Sequence, residues 1–246
     1  MTIISDLIHI AKSNQNDHKV TDVLIGLHWT MVSGVHSGLA ATLGEVSCCH
    51  SNELKNAGHL HERSVFELTE LLYSSNPLEV SVGMAALNSL LKFNENEVIE
   101  CNARDLLAAK SKDKTVTIIG HFPFLDMLRE KADVLNVLEL SPGPGELNAS
   151  EYVNVLPESN IIGLTATTLM NGTFDDLHRF FPKNAFVVMM GPSTPMTPFL
   201  FDFGIHVLAG SKVTDAATLS HYISQGTTLH GAEGLKRISI TKKFDE

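Results

Sequence analysis

The sequence predicts an α/β protein: a small α+β domain, then a mainly parallel open sheet. Three observations carry this. Five short apolar runs lie in the second half: Val116–Gly120, Val134–Leu140, Ile161–Leu164, Ala185–Gly191 and His206–Gly210. Helix-length segments separate them, the spacing of parallel strands joined by crossovers. Each run ends in a loop rich in glycine, proline, hydroxyls or amides, and in open parallel sheets such loops build the ligand crevice.

The first half has no such alternation. Ile3, Ile4, Leu7, Ile8 and Ala11 recur at helical spacing, which predicts an amphipathic N-terminal helix. Val20–Val32 reads as one long strand interrupted by Gly26, with a turn at 34–38 and a return strand over Leu39–Val46. Glu62–Tyr73 places Val65, Leu68, Leu71 and Leu72 on one helix face. Asn76-Pro77-Leu78-Glu79 is a helix start, with a capping residue, a first-turn proline and an acid near the dipole's positive end. That helix runs to about Lys92, and its Gly83, Ala85 and Ala86 permit close approach of another surface. Val98–Leu107 gives a short strand and helix. The polar stretch 108–114 is the expected boundary, with domains over 1–110 and 111–246.

The chain has 246 residues, enough for one large or two small domains, and a formal net charge of −10. That charge argues against a nucleic-acid partner, because phosphate backbones require clustered Lys and Arg. No apolar run approaches the ~20 residues that span a bilayer, and the N-terminal segment lacks the early cation of a signal peptide. Three cysteines, two of them adjacent, make no disulfide framework. A reducing cytoplasm is therefore the expected location.

Five stretches together carry a family likeness. They are Gly26-Leu27-His28-Trp29-Thr30, Val82–Asn88, Ile118–Pro123, Thr165–Thr173 and Gly191–Pro195. In this order they resemble the DUF364 heavy-metal chelation family with its companion N-terminal domain, DUF4213. The resemblance implies an enolase N-terminal-like α+β domain followed by a Rossmann-like domain, with the site between them. It also favours a homodimer, as does the small-residue surface at 83–86.

The candidate site residues follow from the loops. Gly120 ends the first parallel run, His121 and Phe122 follow it, and Pro123 fits a helix's first turn, whose N–H groups suit an anion or carbonyl. His121 is either a donor, acceptor or ligand in the crevice, or simply a strand-end residue. The three-glycine dinucleotide fingerprint is missing. Glu139 ends the second run, where nucleotide-binding sheets place an acid for a ribose, and Pro142 lies in the rigid loop behind it. Thr165, Thr168 and Asn171 offer neutral hydrogen-bonding groups, and Gly172 an unusual backbone angle. Thr173 with Asp176 also fits a helix cap. Gly191, Ser193 and Thr194 sit in a proline-stiffened loop expected to touch ligand, without the Gly-x-Ser-x-Gly pattern of a serine nucleophile. In the first half, Trp29 either stacks on a planar ligand or is a core aromatic; Thr30 and Asn88 are further candidates.

The leading expectation is a small-molecule-binding protein or enzyme with an interdomain cleft, taking a chelator or a planar, pterin-like compound. One alternative is an enzyme using a nucleoside-type cofactor, with Glu139 on the ribose and His121 or Glu45 as acid/base. Another is direct metal binding by Cys48, Cys49, His50, His59 and His61, although these fit no closed zinc spacing. The sequence names no cofactor.

Overall fold

A computed structural model describes residues 2–44, 54–99 and 102–242. The chain groups into two compact units, Met1–Phe93 with Ser211–Arg237, and Asn94–Gly210 with Ile238–Glu246.

The first unit begins with α1 (Ile3–Ser13), capped by the Thr2 hydroxyl and buried through Ile3, Leu7, Ile8 and Ala11. An antiparallel meander follows: β1 (Asp22–Ile25), β2 (Trp29–Ser33) and β3 (Ser37–Ala41), in that spatial order. The single strand expected over 20–32 is thus two strands. The Gly26 N–H donates to the Trp29 carbonyl (2.9 Å) and closes a turn between them. A Cβ on Gly26 would sit 2.6 Å from Ile223 Cγ2, so the chain turns where no side chain fits. The return strand ends at Ala41, earlier than expected, and Val46 lies outside the described residues.

The expected 62–73 helix is one short α-helix, α2 (Val65–Thr69), finished by a 3₁₀ turn through Tyr73. A reciprocal Ser64–Glu67 capping box starts it. α3 (Pro77–Leu90) starts as its sequence predicts, with the Asn76 side chain accepting from the Leu78 N–H (3.0 Å). Apart from its first residues and Asn88, α3 is buried on every side. Its small residues are covered from within the unit. A Cβ on Gly83 would meet the Leu72 nitrogen at 2.6 Å, and one on Gly38 of β3 would meet the Ala85 carbonyl at 2.1 Å. Buried Glu79 accepts from the Lys55 N–H (3.1 Å) and the Ser74 hydroxyl.

The second unit opens with α4 (Ala103–Lys110), β4 (Thr115–Ile119), α5 (Leu125–Arg129), β5 (Val134–Glu139) and β6 (Leu147–Asn148). Then come α6 (Tyr152–Val155), β7 (Ile161–Thr165), α7 (Thr167–Met170), α8 (Phe174–Leu177), β8 (Phe186–Met190) and β9 (Val207–Val213). Beyond it, α9 (Ala216–Ser224) adds Leu219 and Ile223 to a first-unit cluster with Met31 and Leu39, and β10 (Leu235–Thr241) follows. The seven-stranded sheet runs β10-β9-β8-β7-β4-β5-β6. The five apolar runs are β4, β5, β7, β8 and β9, each parallel to its partner among them. Leu107, Ile118, Leu128, Val137 and Val188 belong to the core on this sheet. β6 has two residues and β10 has no glycine–proline loop, so neither matches the pattern of the five. Among the described residues, no helix is long and apolar enough to cross a membrane.

Candidate functional site

The chain runs from β4 outward through β5 and β6, then returns to β4's other side for β7, β8 and β9. At such a reversal the loops leaving adjacent strands diverge and open a crevice at the carboxyl edge. A cavity of about 410 Å³ lies here, lined by the ends of β4, β5 and β7 and the segments that follow.

Gly120 forms its floor with φ +102°, and its N–H donates to the Leu138 carbonyl (3.0 Å). A Cβ there would lie 2.7 Å from Thr165 Cγ2, so glycine is required twice over, for conformation and for space. The expected helix start at Pro123 is absent. Residues 123 and 124 form a turn, and α5 begins at Leu125 with only five residues. The Leu125 N–H approaches the Phe122 carbonyl at 3.4 Å within that turn. The helix end expected at Pro123 thus falls two residues later and belongs to a helix of five residues.

His121 lies at the cavity wall with its side chain 68% exposed. Its Nδ1 is 3.0 Å from Glu146 Oε1, and the Gly143 N–H donates to Glu146 Oε2 (2.8 Å). These two bonds, Gly143's first, hold the Glu146 carboxyl below the usual carboxylate range. Sequence reasoning missed Glu146. The available signal was an acid closing the Gly143-Pro144-Gly145 turn.

Glu139 lines the cavity from the end of β5, and its Oε2 accepts from the Leu140 N–H (3.3 Å). From β7 and α7 come Thr165, Thr167, Thr168 and Asn171. The Thr165 and Thr167 hydroxyls are 3.0 Å apart, and the Thr168 hydroxyl donates to the Thr165 carbonyl (2.7 Å). Asn171 Oδ1 accepts from the Thr173 N–H (3.1 Å) and hydroxyl (2.7 Å). Thr173 thus makes no side-chain cap on α8; its hydroxyl is spent on Asn171 instead. Asp176, Tyr152 and Leu140 also line the cavity, and none of the described lining residues is a lysine or arginine.

Gly120, His121, Glu139, Thr165, Thr168 and Asn171 are therefore brought together on one cavity. The remaining expected residues do not line it. Phe122 packs against the sheet core and Phe124 (centroids 5.4 Å apart). Pro142 is exposed on the loop after β5. Gly172 has φ +76° and supplies the backbone angle expected of it. Gly191 has φ +117° in the loop after β8, where Ser193 and Thr194 are each only 2% exposed. The Thr194 hydroxyl is 2.7 Å from the Gly191 carbonyl and 3.1 Å from that of Ala209, and donates to them.

In the first unit, Trp29 packs beside Met31 and Leu39, and buried Thr30 pairs its hydroxyl with that of Thr42 (2.9 Å). The Asn88 amide donates to the Leu39 carbonyl (2.9 Å), fastening α3 to β3. Glu45, Cys48, Cys49 and His50 lie outside the described residues. His59 pairs with Glu62 at 3.0 Å, and His61 is exposed. Among the described residues, no group of three or more His, Cys, Asp or Glu could hold a metal ion.

Comparison with known proteins agrees with this architecture. The DUF364 model, described as "Putative heavy-metal chelation", matches residues 102–242, and the DUF4213 model, with the same description, matches 8–91. The uncharacterised protein MJ0500 of Methanocaldococcus jannaschii is 27% identical over 223 residues, covering 85% of this chain and 84% of that protein. A DUF364-family crystal structure from Desulfitobacterium hafniense superimposes with a TM-score of 0.83 at 23% identity, covering 98% of both chains. One from Pyrococcus horikoshii gives 0.81 at 24% identity, covering 97% of this chain and 99% of that one. With matched models over both halves and the same fold throughout, the chain belongs to the DUF364 family, with a DUF4213 N-terminal region.

Proposed function

We propose that the protein binds a small polar organic molecule, of the size of a pterin, a nucleoside or a compact chelator, in the cavity at the carboxyl edge of its parallel sheet. The observation that carries this reading is the cavity's position where strand order reverses, with side chains from three strand ends converging on it. Its volume of about 410 Å³ falls within the ~300–1,000 Å³ of small-molecule sites. Threonine hydroxyls and apolar Leu138, Leu140 and Tyr152 suit a planar polar ring. Carboxylates at Glu139 and Asp176, with no lysine or arginine among the described lining residues, disfavour phosphate. The family description fits a ligand that itself carries the chelating groups, so metal arrives with the ligand.

A second reading, a nucleoside-type cofactor, draws on Glu139, which ends the second parallel strand beside the reversal, the position that contacts a ribose in nucleotide-binding sheets. A thermal-shift comparison of adenosine, AMP, a pterin and 8-hydroxyquinoline tests both. A ligand at a hundred times its dissociation constant adds about 2.7 kcal/mol of stability. Uncharged members should stabilise the protein, AMP should not, and Thr167→Val, at a partly exposed lining hydroxyl, should reduce the gain. Stabilisation by adenosine alone supports the nucleoside reading; no stabilisation by any of them overturns the cavity reading.

A further inference from the structure

His121 and Glu146 do more than close a loop. The backbone N–H of Gly143 and the ring of His121 keep Glu146 ionised, and an ionised carboxylate only accepts hydrogen bonds. The proton in the 3.0 Å contact therefore sits on His121 Nδ1. In the neutral ring this leaves Nε2 with a free lone pair, and His121 stands at the cavity wall. The Glu146 side chain is 12% exposed, while that of His121 is 68% exposed. A ring oriented by a carboxylate on one nitrogen and open on the other is the arrangement of a general base.

We propose that His121 accepts a proton from a weakly acidic O–H or N–H of the bound molecule, with Glu146 as the positioning residue that fixes the tautomer and offsets the resulting imidazolium charge. The O–H or N–H bond of the ligand breaks, a bond from that hydrogen to Nε2 forms, and the electron pair stays on the ligand as an anion. No redox partner is needed. The charged groups around the pair are Arg129, close enough to act on Glu146, and Glu139 and Asp176 on the same cavity. The two acids disfavour a ligand anion free in the cavity, so the anion is stabilised only next to the imidazolium. This inference rests on the reading of the cavity as a ligand site.

Two measurements on the full chain separate the pair from that reading. Without ligand, nitrogen-15 NMR should find neutral His121 protonated at Nδ1. In Glu146→Gln, whose amide can present either its oxygen or its N–H to the ring, that Nδ1 preference should weaken. Glu146→Ala should lose it altogether; if it fails to fold, the wild-type tautomer and the Gln variant decide. A wild-type ring protonated at Nε2, or an unchanged Nδ1 preference in Glu146→Gln, overturns the pair. With 8-hydroxyquinoline as probe, the bound molecule should show the absorption of its oxyanion in the wild type and of its neutral form in His121→Ala. A neutral form bound to the wild type overturns the proton transfer while leaving the cavity reading intact. Absence of binding counts against the cavity reading and leaves the ring measurements to judge the pair.

Discussion

Two glycine-headed loops of the parallel-sheet unit invite comparison. One leaves β4 at Gly120, the other leaves β8 at Gly191, and both glycines hold positive φ, +102° and +117°. By sequence the β8 loop is the stronger candidate, with three prolines around Ser193, Thr194 and Thr197. In the fold its hydroxyl residues are buried, and Thr194 ties the ends of β8 and β9 together. The β4 loop has one polar side chain, His121, yet borders the cavity. The difference is topological. β8 lies between β7 and β9 with the chain progressing in one direction, whereas β4 is where it reverses. Polar richness in a loop marks the carboxyl edge; strand order decides whether space is left there.

The largest effect tests the β4 loop. Gly120→Val forces a branched side chain to positive φ and against Thr165. Backbone strain of about 1–3 kcal/mol and overpacking of about 1–3 kcal/mol both oppose it. The urea midpoint should drop sharply, and any cavity ligand should be lost with it. A variant with wild-type stability would show that the floor is less tight than its 2.7 Å contact indicates.

Next in size, Thr194→Val keeps the shape but removes the hydroxyl's bonds to two carbonyls that each keep a backbone N–H donor, at a cost of roughly 0.5–1.5 kcal/mol. Ligand affinity should not change. Should affinity fall while the melting temperature holds, the distinction between the loops fails.

The smallest effect on stability should come from Glu139→Gln, a partly exposed side chain that accepts from its neighbour's N–H. Such substitutions stay within about 0.5 kcal/mol. Binding of adenosine or 8-hydroxyquinoline, measured by calorimetry, should weaken several-fold. Unaltered affinity for both would take Glu139 out of the site.

Much of this molecule is legible in its sequence. The β4, β5, β7, β8 and β9 runs are visible because buried parallel strands are short, apolar and separated by helix-length segments. α3 is legible through Asn76 and Pro77. Strand breaks are harder: Gly26 turns the chain because Ile223, almost two hundred residues away in sequence, occupies the space of its Cβ. Local patterning cannot register that. Six of the candidate residues share one cavity because strand ends of a parallel sheet gather at one edge. Phe122 and Thr194 point to core and backbone partners, and Glu146 escapes a sequence reading, because side-chain direction and loop-to-loop pairing depend on tertiary contacts.

The contact between α3 and β3 has a kinetic consequence. At Gly38 the helix and strand backbones meet with no side chain between them, and α3 is enclosed on nearly every other side. A helix at a surface can fray a turn at a time, exposing its amides one by one. Here no single turn can lift away without withdrawing from the strand, from the 70–73 turn at Gly83 and from its other neighbours together. Its central amides, around Met84 to Leu87, should therefore exchange with deuterium only when the surrounding structure opens cooperatively. That makes α3 the clock of its unit, recording how often those elements separate rather than how tightly any one turn is wound.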